Sequence, residues 1–281
     1  MSKVESLIRY SGVALLSSIF SCYFYDANLK RPLVVKSATL VQDNTQFMPN
    51  LARKYLDLGI PEDNKLRVFE GFVAYYDKKH RIPSWVIEHL PSAQIKSSNN
   101  EKIGREGHEF YEDLSEDPLF RSRNSDYFRS GYDRGHMAAA GNHRFTNKNQ
   151  YNQTFILANI APQVGDGFNR HVWNQLERYV RNMAYHSHDL YAMTGSLFIP
   201  HNVNSKKYVT YEVIGDNNVS VPTHFYKVVA FRKEATSKWE LVAWLLPNID
   251  ISKEKIDLSQ YQVPLSKIEQ YAGYRVFPGI R

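Results

Sequence analysis

Residues Ser130 to His143 read SGYDRGHMAAAGNH. Within them, Asp133, Arg134, Gly135 and His136 set two charges, a turn-tolerant residue and an imidazole in four consecutive positions. An imidazole with a pKa near 6.5 can take a proton at neutral pH. A guanidinium beside it offers a fixed fork of donors to an oxyanion. Together they could move a proton next to a bound anion. The same four letters also describe an Asp–Arg ion pair in a turn beside a structural histidine. Taken alone, they favour that plainer reading.

A second group lies further along. Asn169, Trp173 and Glu177 are spaced i, i+4, i+8 and so share one stripe of a helix. The Asn169 carboxamide stands at the helix start, where the backbone dipole is positive. Glu177 is two turns on, roughly 12 Å along the axis, and leans back toward the helix start. That separation is too long for a shared direct bond to one metal ion. It suits Glu177 to hold the waters of an ion placed at Asn169.

The elements that must position these groups can be read from periodicity. Val172, Trp173, Leu176, Tyr179, Val180 and Met183 recur at helical spacing and predict a helix over Asn169–Met183. A short strand, Thr154 to Ile160, and a turn at Gly165–Gly167 precede it. Other strands are expected at Phe72–Tyr76, Trp85–His89, Leu190–Thr194, Tyr208–Ile214, Phe225–Phe231 and Leu241–Leu246. Ser97–Asp126 reads as a long polar surface loop and Pro200–Ser205 as a bend. Many strands with few helices predict an α+β domain around a largely antiparallel central sheet.

The chain has 281 residues, enough for one large domain with a sizeable core. Its 35 Lys and Arg exceed its 29 Asp and Glu, giving a net charge of +6. That excess suits a polyanion partner without requiring one. A single cysteine, Cys22, excludes an internal disulfide framework and Cys-based zinc modules. No Walker-type Gly loop, GxSxG elbow or HExxH occurs. Tyr10–Tyr25 is a run of 16 uncharged residues, slightly short for a membrane span. Basic residues outnumber acidic ones around it, so residues 1–40 are expected to be a targeting or membrane-anchor segment. Residues 41–281 are expected to form one domain.

The motifs taken in order carry more information than any of them alone. DYFRSGYDRGH (Asp126–His136), TFILANIAPQVGDGFNRHVWNQLERY (Thr154–Tyr179) and VPTHFYKV (Val221–Val228) together resemble the DNA/RNA non-specific endonuclease family. Weaker matches are WVIEHL (Trp85–Leu90), YEVIG (Tyr211–Gly215) and LPN (Leu246–Asn248). The likeness is to its mitochondrial branch, an endonuclease and an exonuclease-like paralogue, and it spans roughly Phe69 to Phe277.

The resemblance implies a ββα-metal nuclease fold, its sheet flanked by helices. By the same resemblance, His136 is the general base and Asn169 the single protein ligand of a divalent metal, Mg²⁺ with Mn²⁺ as a substitute. Glu177 holds the metal's waters, Arg134 steadies the phosphate, Asp133 orients the loop and Asn159 supports the site. It further implies cleavage of DNA and RNA to 5′-phosphate and 3′-hydroxyl ends with little sequence preference, a homodimer, and a mitochondrial location in the intermembrane space or inner membrane. Membrane association would run through residues 10–25. Exonuclease activity is a further expectation of the resemblance, although the paralogue's extra C-terminal helical segment has no counterpart before Arg281, which argues against processive 5′ exonuclease behaviour. A catalytically silent nucleic-acid-binding or membrane-tethered module is the rival reading, and a secreted nuclease a third.

Plainer roles are expected elsewhere. His89 and His224 read as core histidines, His143 as structural, and His186 and His188 as a solvated turn. His171 points away from the Asn169 stripe, and Trp173 packs behind it. Lys78–Arg81 is either a solvated turn or a phosphate-contacting lip. Arg121, Arg123 and Arg129 are better placed to touch a nucleic-acid backbone.

Overall fold

The computed structural model describes residues 22–26, 31–35, 65–96, 103–251 and 256–280. Fourteen strands are named in chain order: β1 Cys22–Asp26, β2 Arg31–Val35, β3 Leu66–Val68, β4 Phe72–Asp77, β5 Ile82–His89, β6 Tyr132–His136, β7 Ile160–Val164, β8 Asp189–Leu197, β9 His201–Val203, β10 Lys206–Tyr208, β11 Val213–Ile214, β12 Val219–Ser220, β13 His224–Arg232 and β14 Glu240–Pro247. The α-helices are α1 Ser92–Lys96, α2 Asn124–Tyr127, α3 Lys148–Gln153, α4 Asn174–His186 and α5 Leu265–Ala272.

The centre is a six-stranded sheet in the order β14-β13-β8-β5-β4-β3. Every neighbouring pair in it is antiparallel. Strand β13 runs His-Phe-Tyr-Lys-Val-Val-Ala-Phe-Arg and is buried on both sides over most of its length, as a doubly covered central strand should be. One face packs against Phe168, Val172, Trp173, Leu176 and Val180 from the α4 side. The other carries Met193, Leu197, Tyr226, Val228 and Leu245 under Ile268 and Val276 from the C-terminal segment. The α+β class with a largely antiparallel sheet is therefore observed.

A separate two-stranded ribbon, β6–β7, lies beside this sheet and leads into the helix. Asn248 fixes it in place. Its Oδ1 accepts the Val164 amide at 2.9 Å, and its Nδ2 donates to the carbonyls of Pro162 (3.2 Å) and Pro222 (2.9 Å). The LPN motif is thus a clamp between ribbon and sheet.

Several elements depart from the periodicity reading. The strand expected at Thr154–Ile160 begins at Ile160, because Leu157–Asn159 forms a tight 3-10 turn. Tyr208–Ile214 is not one strand: only Lys206–Tyr208 and Val213–Ile214 pair, and residues 201–213 are all exposed. Richness in Val, Tyr and Ile predicted a strand there, but the run stays exposed and only the Tyr211 ring packs, on Phe198 and His80. The Pro200–Ser205 bend is a two-residue hairpin turn with Asn204 and Ser205 at φ of 47° and 64°. Gly165–Trp173 forms wide i→i+5 turns before the regular helix starts at Asn174, with non-helical dihedrals at Asp166 and Gly167.

The Ser97–Asp126 stretch is more than a surface loop. Asp113 and Glu116 are buried and bind Arg67 of β3 at 3.1 and 2.5 Å. Of the uncharged N-terminal run, residues 10–21 lie outside the described part, and Cys22–Asp26 pairs as a strand with Arg31–Val35. Among the described residues no helix is long and apolar enough to cross a membrane.

Candidate active site

The ribbon and helix bring the two sequence groups together. Tyr132–His136 pairs with Ile160–Val164, with Asp133 opposite Gln163 and His136 opposite Ile160. Gly135 is required by this pairing, since a Cβ there would overlap the buried Gln163 side chain. After β7 the chain turns at Gly165 and Gly167 into the helix. His136, Arg134, Asn169 and Glu177 then line one cleft of about 350 Å³.

Asp133 is the hinge of the arrangement. Its carboxylate accepts Asn169 Nδ2 at 2.8 Å, and Arg170 Nε and Nη2 at 2.9 and 2.6 Å. With its amide nitrogen committed to Asp133, Asn169 is left with its carbonyl oxygen for the cleft. A neutral oxygen donor held this way fits a hard, water-rich cation such as Mg²⁺. Among the described residues no cluster of three or more His, Cys, Asp or Glu could hold a metal, so most ligands would be water. Glu177 lines the same cleft two turns further along.

Asn159 does not reach the cleft. It is fully buried, accepts the Ala138 amide at 2.8 Å and donates to the carbonyls of Ala138 (3.0 Å) and Thr154 (2.8 Å). It therefore fixes the chain just after His136. Arg134 is exposed, donates to Asn124 Oδ1 at 2.7 Å and lies 4.7 Å from the centre of the Phe110 ring. These contacts aim the guanidinium across the cleft and leave donors for an anion.

His136 packs between Phe110 and Phe155, with ring centres 5.3 and 5.0 Å away, and its Nε2 has no hydrogen-bond partner. Burial, and then the charges of Arg105 and His143, push its pKa from 6.5 down to about 3. The imidazole is therefore neutral at any physiological pH. Burial raises the Glu177 pKa; Lys227 and Arg181 oppose that shift, and Glu88 adds to it.

The cleft also collects Arg105, Arg144, Arg170, Arg181 and Asn174, which sequence reading did not single out. Arg181 follows Glu177 by one turn, a spacing that could have flagged it. Arg105 comes from the polar loop and carries no local signal. By contrast Arg121, Arg123 and Arg129 do not line the cleft. Arg121 is spent on the Glu116 carbonyl at 2.6 Å. The Lys78–Arg81 turn lies outside the cleft, with Lys78 paired to Glu116 (3.4 Å) and His80 to Asp77 (2.7 Å).

Trp173 is fully buried against Phe168 and Phe225 rather than facing the cleft, because the wide turn shifts the helix phase. His171 accepts the Gly167 amide at 2.9 Å, away from the site. His143 is buried and structural, as expected. His89 is a correction: it is 46% exposed in its side chain and pairs with Asp189 at the sheet end, since strand alternation carries it past the packed face. His224 is half-buried beside Thr223.

Residues 52–281 match the family described as DNA/RNA non-specific endonuclease. The chain belongs to that family. It is 42% identical over 252 residues to mitochondrial endonuclease G of Caenorhabditis elegans, covering 89% of this chain and 79% of the relative. Human mitochondrial endonuclease G is 39% identical over 223 residues, with 79% and 72% covered. Human mitochondrial nuclease EXOG is 36% identical over 215 residues, with 75% and 56% covered. Among solved structures, an EndoG/EndoGI inhibition complex superposes with a TM-score of 0.73 at 42% identity, covering 83% of this chain and 94% of that one. This DNA/RNA non-specific endonuclease thus carries its family's ββα arrangement around the cleft just described.

Proposed function

We propose that this nuclease works in mitochondria and hydrolyses phosphodiester bonds of DNA and RNA with one Mg²⁺ ion, leaving 5′-phosphate and 3′-hydroxyl ends. The observation that carries the reading is the Asp133–Asn169 hydrogen bond at 2.8 Å, which turns the Asn169 oxygen to the cleft that His136 lines. Neutral His136 takes a proton from the attacking water. Arg134 holds a phosphate oxygen with donors that Asn124 has oriented. Asn169 would hold the cation, with Glu177 on its waters; Mn²⁺ would serve in place of Mg²⁺. When bound, the cation offsets charge on the phosphate and on the leaving oxygen. Asp133 and Asn159 are positioning residues, one for Asn169 and one for the chain after His136. No base edge is recognised by these groups, so cleavage has little sequence preference.

The same reading divides the chain into an address or anchor segment at 1–40 and a nuclease domain at 41–281, and makes the protein a homodimer. Mitochondrial names in both groups of relatives support the location. The test is product analysis on end-labelled linear and circular DNA and on RNA, with Mg²⁺ and with chelator. Wild type should cut all three with Mg²⁺ only. His136→Ala should lower kcat about 10²–10⁴-fold, the range for a positioned general base, while nucleic-acid binding persists. Normal cutting by that variant would remove His136 from the role.

A further inference from the structure

Behind the cleft wall, between α4 and the central sheet, lies a set of ionisable side chains that the reaction as read above does not touch. Lys227 of β13 and Glu88 of β5 are 1% and 0% exposed. Lys227 Nζ donates to Thr194 Oγ1 of β8 and lies 5.1 Å from the centre of the Trp173 ring. Glu88 Oε1 accepts Asn142 Nδ2 at 2.8 Å and His143 Nε2 at 3.1 Å. Gln150 Nε2 donates to His143 Nδ1 at 3.2 Å, which puts the histidine proton on Nε2, toward Glu88. Asn142 Oδ1 in turn accepts Arg181 Nη1 at 3.1 Å. A chain of contacts therefore runs from the sheet through Glu88 and Asn142 to a guanidinium that lines the cleft.

Charges facing one another across this layer balance. Lys227 interacts with Glu88, Glu177 and Arg181. Glu177 interacts with Lys227, Arg181 and Glu88. Arg181 also feels Arg144, which lines the cleft, and Arg178. Two carboxylates, Glu88 and Glu177, thus meet two cations, Lys227 and Arg181. For stability alone, apolar residues of the same volume would do as well or better than a buried ionic set. Removing one member leaves an unbalanced buried charge, which the structure relieves by moving or neutralising a neighbour. The neighbours with room to move are the two at the cleft.

We propose that Lys227 and Glu88 are positioning residues: this buried pair sets the places of Glu177 and Arg181 at the cleft wall from within the sheet. The inference rests on the reading of the cleft as a nuclease active site. Neither Lys227 nor Glu88 lines the cleft, so neither touches substrate.

The test uses the full chain with Mg²⁺ and a duplex substrate, reading kcat, KM and thermal midpoint together. Lys227→Met should fold and lose about 10-fold or more in kcat with KM within about twofold, the size expected when a supporting partner is removed. Duplex binding in chelator should match wild type. Glu88→Gln/Lys227→Met, which leaves Glu177 and Arg181 as a balanced pair, should regain most of that loss. If Lys227→Met does not fold, Glu88→Gln alone decides: a lowered kcat at unchanged KM supports the proposal and a wild-type kcat overturns it. A lower thermal midpoint with wild-type kcat in Lys227→Met, a loss confined to KM, or a double variant no better than the single would each overturn it. A wild type that cuts nothing in Mg²⁺ is a separate result and sinks the reading of the cleft itself.

Discussion

At the scale of single residues, the cleft depends on the Asp133 contact that orients Asn169 and on the packing that holds His136. Without the Asp133 carboxylate, the Asn169 amide can rotate and present nitrogen or oxygen to the cleft equally. Asp133→Ala should therefore raise the Mg²⁺ concentration for half-maximal activity about 10–100-fold; an unchanged Mg²⁺ titration would show that Asn169 is held by something else. His136 makes a prediction about pH. Its folded pKa of about 3 lies below the ordinary 6.5, so between those values the unfolded chain binds more protons. That contribution to stability is fully present above pH 6.5 and is lost as pH falls toward 3. Urea midpoints of wild type should fall faster from pH 6.5 to 4 than those of His136→Gln. Parallel slopes would mean that the folded imidazole titrates as the unfolded one does.

At the scale of elements, the ribbon β6–β7 is held together by what its neighbours exclude. Gly135 gives way to Gln163, and Gly165 sits where a Cβ would lie 2.9 Å from Asp133 Oδ1. Gly135→Ala should destabilise the fold by about 1–3 kcal/mol, the usual range for forcing a methyl into a packed region. Activity should fall by more than the unfolded fraction explains, because the overlap displaces the strand that carries His136. A urea titration run beside a specific-activity measurement separates these effects; proportional losses would show that the ribbon absorbs the methyl without moving the histidine. The wide turn before α4 acts at the same scale. It buries Trp173 in the core while Asn169, Asn174, Glu177 and Arg181 stay on the cleft.

At the scale of the whole molecule, a net charge of +6 is modest for a nucleic-acid enzyme. The fold concentrates five arginines around one cleft instead. Arg170 is paired with Asp133, and Arg181 is bound to Asn142 Oδ1, which leaves Arg105, Arg134 and Arg144 as the cations best placed for phosphates. Duplex binding in chelator should therefore weaken with salt at a log–log slope of about −3, near −0.9 per phosphate neutralised. A flat response would remove backbone contact as the source of affinity. Arg105→Ala should lower the magnitude of that slope by about one, whereas Arg129→Ala, on a residue away from the cleft, should leave it unchanged.

The sequence alone determined the order of motifs, the family they resemble, and the helix that carries Glu177. Those features depend on neighbours within a few positions, and helical spacing and glycine turns express them locally. It also supplied most strands of the sheet, because alternating or continuous apolar runs reflect burial on one face or two. Tertiary structure decided the rest. The partner of Asp133 lies 36 residues away, and that of Glu88 54 residues away, across elements whose pairing no local pattern encodes. Arg105 lines the cleft from a segment tied to its neighbours by long-range contacts, the Ile103 amide to the Arg144 carbonyl at 3.0 Å and the His108 ring against Tyr151 and Phe155. The run Tyr208–Ile214 has strand-forming residues, yet positions 208–213 stay exposed, with the Tyr211 ring resting on Phe198 and His80. Local propensity sets which residues can share a face; only the closed sheet, with its packed helix and ribbon, sets which faces meet.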